Sequence, residues 1–241
     1  MNKVLEQAGK TLIDALSGMK FSAPVTHTYN PMEYAWDSHC EYLRRFASSK
    51  KKVLFLGMNP GPWGMAQTGI PFGEIPAVRD WMGIEMAVQQ PKSPHPKRPI
   101  EGFACTRSEV SGRRLWGLFA NKFPQADDFF ADHFVSNFCP LVWMGETGRN
   151  ITPDKLVKAE FAPVEEACQK YLAALIAELA PSHLIGVGAF AEKQLKATVK
   201  AQLPDQDFQI AKILHPSPAS PLANKGWPKV PQQQLQDLGL W

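Results

Sequence analysis

Three polar side chains, Asn59, Asn137 and His215, each stand at or just past the end of a short apolar run in this 241-residue sequence. An amide offers a hydrogen-bond donor and an acceptor together, and a neutral imidazole offers one of each. The first sits in the stretch Val53-Leu54-Phe55-Leu56-Gly57-Met58-Asn59-Pro60-Gly61-Pro62-Trp63-Gly64-Met65. Its apolar half suits a buried strand; its Gly, Asn and Pro residues then forbid helix and strand alike. A strand that ends so abruptly delivers Asn59 to a sheet edge, where ligands bind in open α/β folds. If the strands are parallel, Asn59, Asn137 and His215 share that edge and meet over one cleft. Singly, each has a plainer reading: Asn59 as a turn residue, Asn137 as a strand-end cap, His215 as structural. Their shared position points to chemistry.

The elements that must hold them alternate along the chain. Leu5, Ala8, Leu12 and Leu16 recur at helical spacing to about Ser17. Asn30-Pro31-Met32-Glu33 opens a helix to about Phe46, with Glu33 reaching back to the cap amide and Trp36, Cys40 and Leu43 inward. Strands are expected at Val53–Met58, His133–Phe138, His183–Gly188 and Phe208–Leu214. Helices are expected at Pro76–Ala87 (Val78, Trp81 and Met82 inward), Ser111–Phe123, Pro163–Ala180 and Ala189–Lys200, with a short one at the C-terminus. The proline-rich basic stretch 89–99 and the segment Gly145–Pro153 read as loops. Four apolar runs between helices imply one α/β domain over residues 1–241, a mostly parallel sheet with helices on both faces.

A chain that is 44% hydrophobic can bury a substantial core. No run reaches the roughly 20 apolar residues that span a bilayer, and the first residues lack a signal-peptide core. Cys40, Cys105, Cys139 and Cys168 are far apart with no C-x-x-C pair, which argues against a zinc or iron–sulfur site and for reduced thiols in a cytosolic or nuclear setting. The net charge of +3 permits an acidic partner without demanding one.

The motifs carry a resemblance. Gly57 to Glu74 resembles the first signature of single-strand-selective monofunctional uracil-DNA glycosylases, and His215-Pro216-Ser217-Pro218 with Pro221 and Asn224-Lys225-Gly226-Trp227 is similar to the second. Ser108–Gly112, Phe134–Pro140 and Gly148-Arg149-Asn150 match in order between them, so the likeness covers about residues 30 to 228. It implies a three-layer α/β/α sandwich around a four-stranded sheet. It also implies hydrolysis of the bond joining uracil to deoxyribose in single- and double-stranded DNA, with no metal or cofactor and the chain acting as a monomer. The setting would be the cytoplasm and nucleoid of a bacterium or the nucleus of a eukaryote.

By that resemblance Asn59 positions water, His215 hydrogen-bonds uracil O2, Phe72 stacks under the flipped base and Asn137 reads its edge. Met58 and Met65 belong to the pocket, and Gly61 leaves room at C5 for substituents such as hydroxymethyl. DNA contacts fall to Ser111, Gly148, Arg149, Asn150, Ser217, Pro218, Ala219, Ser220 and Lys225. Ala219 departs from better-known vertebrate members, which carry an arginine that enters the duplex; Leu222 is a substitute wedge. Arg113, Arg114 and Arg149 are better phosphate candidates than Lys92, Lys97 and Arg98, which read as a solvated loop. Two other readings stand beside this one. Release of hypoxanthine or xanthine keeps the chemistry and changes the base. A non-catalytic module using the Gly-Pro loop as a phosphate cradle lacks both G-x-x-x-x-G-K-[ST] and G-x-G-x-x-G.

Overall fold

The computed structural model describes residues 3–241. Its centre is a four-stranded parallel sheet in the order β3-β2-β6-β7: β2 Val53–Gly57, β3 His133–Asn137, β6 His183–Val187 and β7 Gln209–Ile213. The side chains of Val53, Leu54, Phe55 and Leu56 are 0% exposed, so helices cover both faces of the sheet. Burying each such side chain contributes about 1.5–3 kcal/mol before the entropy of ordering it is counted. Helix α1 (Lys3–Leu16) packs on α7 (Lys158–Leu179), α8 (Ala189–Gln202) on β6 and β7, and α9 (Lys229–Asp237) on β7. Around β3 lie α5 (Val110–Lys122), α6 (Ala126–Asp132) and α3 (Trp36–Phe46), which pack on one another through α6. Among the described residues no helix is long and apolar enough to cross a membrane.

The register determines the site. Gly57 lies opposite Asn137, Leu56 opposite Gly186, and Val187 opposite Ile213, so the strands end in one row. After β2 the chain crosses to one side and after β6 to the other, which opens a crevice between them at that row.

Several expectations from the sequence are corrected. A second sheet, β1 (His27–Tyr29), β4 (Val142–Met144) and β5 (Asn150–Ile151), pairs antiparallel in the order β1-β4-β5 and includes part of the expected loop 145–153. The helix after Asn30 breaks at Ala35 into α2 (Pro31–Tyr34) and α3. Asn30 does cap α2, accepting from the Met32 amide at 3.2 Å, but Glu33 pairs with Lys92 instead of the cap. Trp36 and Cys40 are only half-buried, and His39 takes the inward position, its Nδ1 2.9 Å from Gly69 O. The helix expected at Pro76–Ala87 is a single π turn, Ala77–Trp81, because Gly83 turns left-handed (φ 65°) and Met82 N–H bonds back to Ala77 O. Val78 and Met82 are buried as the spacing requires, while Trp81 is half-buried and donates to Phe123 O. A short α4 (Met65–Thr68) and α6 were unforeseen, and α7 begins at Lys158, carrying Pro163 inside it.

Candidate active site

At the shared strand ends lies a cavity of about 180 Å³ lined by thirteen residues, among them Met58, Asn59, Gly61, Met65, Phe72, Asn137 and His215. Asn59 and His215 each stand two residues beyond a strand of the terminal row, and Asn137 belongs to that row. Ser111, Asn150 and Ser217, expected at DNA, also line the cavity, as do Pro60, Glu109 and Thr152. Arg149 lies instead in an adjoining groove of about 830 Å³ that shares Asn150 and Thr152 with the cavity. Pro218, Ala219 and Lys225 are exposed outside it.

Asn59 is oriented by its donor. Its Nδ2 gives a hydrogen bond to Leu141 O at 3.1 Å, which only the NH₂ end can do, so Oδ1 is the other end. That oxygen is buried and has no partner, and Asn150 Oδ1 is in the same condition. A buried unpaired acceptor costs about 1–3 kcal/mol. Both residues line the cavity, so a small shift of either side chain would offer an acceptor to whatever fills it.

His215 is neutral and its tautomer is set. The Ser217 N–H donates to Nδ1 at 3.0 Å, so the ring proton must sit on Nε2. Burial lowers its pKa from 6.5 to about 4, which keeps the ring uncharged at neutral pH. The loop that carries it is prebuilt. Arg114 donates to Pro216 O (2.9 Å) and Asn224 Oδ1 (3.0 Å), Asn224 donates to Pro218 O, and the buried Trp227 donates to Leu214 O. Arg114 is thereby a brace and not a free phosphate ligand. Leu222 stands 65% exposed on this loop.

Phe72 forms an aromatic wall, its ring centroid 6.4 Å from that of His215. Its backbone sits at φ 53°, a left-handed conformation costly for a side chain with a Cβ. Two glycines make this possible. A Cβ on Gly57 would lie 2.5 Å from the Phe72 ring and 2.3 Å from Asn137 Oδ1, and one on Gly112 would lie 2.0 Å from Phe72 O. The Trp116 indole then holds Phe72 O from behind at 3.1 Å. Asn137 donates weakly to Met65 Sδ at 3.5 Å, leaving most of its hydrogen-bonding capacity for a ligand.

Glu109 lies within a matched motif, though the resemblance assigns this residue no role. It caps α5, accepting from Gly112 N–H at 2.7 Å and Ser111 N–H at 3.3 Å. Burial nevertheless pushes its pKa up to about 7, against those two amides. The cap signal was legible (an acidic residue before a helix); its place in the lining was not.

An aromatic wall, a fixed N–H donor, and amides with unused groups define a site for one small flat heterocycle on an α/β/α frame. Comparison with known proteins narrows this. Residues 44–238 match the Uracil DNA glycosylase superfamily. The single-strand selective monofunctional uracil DNA glycosylase of Bos taurus is 45% identical over 229 residues, which is 95% of this chain and 84% of the relative. Its Rattus norvegicus counterpart is 45% identical over 225 residues, 93% and 80% of the two chains. Among solved structures, SMUG2 of Pedobacter heparinus aligns at a TM-score of 0.68 and 17% identity over 98% of this chain and 97% of that one, a likeness of fold alone. The chain belongs to the uracil DNA glycosylase superfamily and, within it, to the single-strand selective monofunctional family.

Proposed function

We propose that this protein hydrolyses the N-glycosidic bond of uracil in DNA and leaves an abasic site. The observation that carries the reading is one cavity lined by both Asn59, whose buried Oδ1 has no partner, and His215, whose ring proton sits on Nε2. As the bond lengthens, deoxyribose becomes an oxocarbenium ion and uracil an N1 anion with charge on O2. His215 Nε2–H donates to that oxygen, as an oxyanion-hole donor does. Asn59 Oδ1 accepts from a water that adds to C1′; an amide orients but does not take the proton, which passes to the departed uracil anion or to solvent, and this suffices for a dissociative step. Phe72 stacks on the base, and Asn137 pairs with O4 and N3–H. Cytosine presents the opposite pattern there and would leave buried groups unpaired. A Cβ on Gly61 would meet nothing within 4 Å, so substituents at C5 are accommodated.

Reaching a base in duplex costs a few kcal/mol of unstacking, a cost that single strands largely escape. Met58 and Met65 close the pocket. We assign contacts with the DNA strand to Ser111, Gly148, Arg149, Asn150 and the loop Ser217-Pro218-Ala219-Ser220 with Lys225. The chain is expected to act as a monomer.

The test is direct. Purified protein incubated with a single-stranded oligonucleotide bearing one uracil yields an alkali-labile site without cutting the strand, with and without chelator. Intact strands after alkali would end the proposal. Parallel oligonucleotides bearing hypoxanthine or xanthine decide the preferred base.

Glu109 gives this reaction a pH dependence. Below about 7 it is protonated and leaves the departing anion unopposed; above that it is a carboxylate in the same cavity and repels it. The rate constant at saturating substrate is therefore expected to fall as pH rises through about 7, and Glu109→Gln to flatten the profile. A wild-type profile already flat across that range would remove this role.

A further inference from the structure

The stretch 89–99, read from sequence as a solvated loop, is pinned at four points. Tyr29 Oη donates to Arg98 O and accepts from His95 N–H. His95 Nδ1 accepts from Lys97 N–H, so its Nε2–H donates to Gly145 O at 3.1 Å. Gln67, 0% exposed, joins this segment to the catalytic loop through all its groups: Nε2 donates to Pro62 O and Pro99 O, and Oε1 accepts from the Glu101 and Gly102 amides.

That framework serves one visible purpose at the surface. The Arg98 guanidinium carbon lies 5.1 Å from the centroid of the Trp63 ring, and that of Arg107 lies 5.4 Å from the same ring. Arg98 gives one hydrogen bond, to Lys97 O, and its Nε is buried with no partner. Among the described residues neither arginine forms an ion pair. The Arg98 stem runs along Gly148, where a Cβ would be 3.1 Å from its Cγ. Trp63 is two residues from Gly61 and Gly148 two from Asn150, and both Gly61 and Asn150 line the cavity. The pair therefore spans two lips of the pocket.

Two guanidinium groups on one indole repel each other, and the ring quadrupole offsets only part of that. What completes the arrangement is an anion with oxygens on more than one side, which guanidinium groups bind in bidentate fashion. A nucleotide that enters the cavity base-first leaves its phosphodiesters at the rim. We propose that Trp63, Arg98 and Arg107 form a phosphate clamp, rigid before binding, for the DNA backbone next to the extruded nucleotide. This rests on the glycosylase reading above, and it reverses the expectation that Arg98 is merely solvated.

The test measures binding, not turnover, so it survives failure of that reading. Fluorescence anisotropy with a labelled, uracil-free single strand is run over a range of salt concentrations. Each phosphate contact on a single strand contributes about 0.7 to the slope of log affinity against log salt. Arg98→Gln with Arg107→Gln is expected to make that slope shallower by about 1.4, and Arg107→Gln alone by about half as much. Lys200→Gln, an exposed charge at the far end of α8, leaves it unchanged. An unaltered slope in both arginine variants overturns the clamp, and an equal change in Lys200→Gln reduces it to general surface charge. Because Arg107 is exposed, its single variant keeps the test open if the double variant folds poorly. A wild-type protein that binds with the expected slope yet releases no base would instead sink the glycosylase reading alone.

Discussion

His215→Ala lowers the rate constant on uracil-containing single strands by about 10²–10³-fold, the loss typical when one oxyanion donor is removed. The size follows from three facts about this ring. Its proton is fixed on Nε2 because Ser217 N–H occupies Nδ1, so the donor pays no tautomer cost when charge appears. Burial keeps it neutral until about pH 4, so the same donor is available throughout the physiological range. It also lines a recessed cavity, where a hydrogen bond to a developing anion is stronger than in water. The expected loss is in the maximal rate, with a smaller change in KM, since O2 carries little charge in the bound substrate. A variant retaining more than about a tenth of wild-type turnover would remove His215 from this role.

The same residue predicts a sign for stability. A histidine whose pKa is depressed on folding binds fewer protons folded than unfolded between about 4 and 6.5, so stability is full above 6.5 and falls as pH drops through that window. His39, also lowered to about 4 by burial, acts in the same direction. Glu109 acts oppositely: raised to about 7, it favours the folded state most below its unfolded value of 4.5, and that contribution fades as pH rises to about 7.

How much of this was legible beforehand depends on range. Val53–Gly57 was visible because a strand buried on both faces is a continuous apolar run, and His133–Asn137 because its Phe134-Val135 core runs into Cys139-Pro140. Asn59 and His215 were visible because each follows such a run into turn chemistry. The second sheet was not: strands of two or three residues, such as Asn150–Ile151, have no period to detect, and the β1–β4 pairing joins residues more than a hundred apart. Yet that sheet is what carries Asn150 to the cavity. The stretch 89–99 is the loop its composition indicates, but its order was hidden for a similar reason. Its composition is that of a solvated segment, while its order comes from Tyr29, Gln67 and Gly145, each distant in sequence. Glu109 shows a third limit, since a cap can be read from sequence but burial, which sets its proton affinity, cannot.

Asn59→Ala is expected to fold and to lose about 10²-fold or more in turnover, with substrate binding changed only a few-fold. Asn59 contributes no strong base. Its whole effect is to hold one water in line with C1′, and misplacing a reactant by an ångström costs on that order. Nδ2 is tied to Leu141 O, next to the β4 strand, so Oδ1 is held by a packed element and not by a free rotamer. Alanine removes the unpaired acceptor but also the donor to Leu141 O, two effects of opposite sign, so the melting temperature should change little while turnover collapses. That divergence separates a role in the reaction from a role in folding. A variant that loses both together marks Asn59 as a turn residue after all, and one that keeps full turnover returns the water to another group, with the equally unpaired Asn150 Oδ1 the first to be replaced.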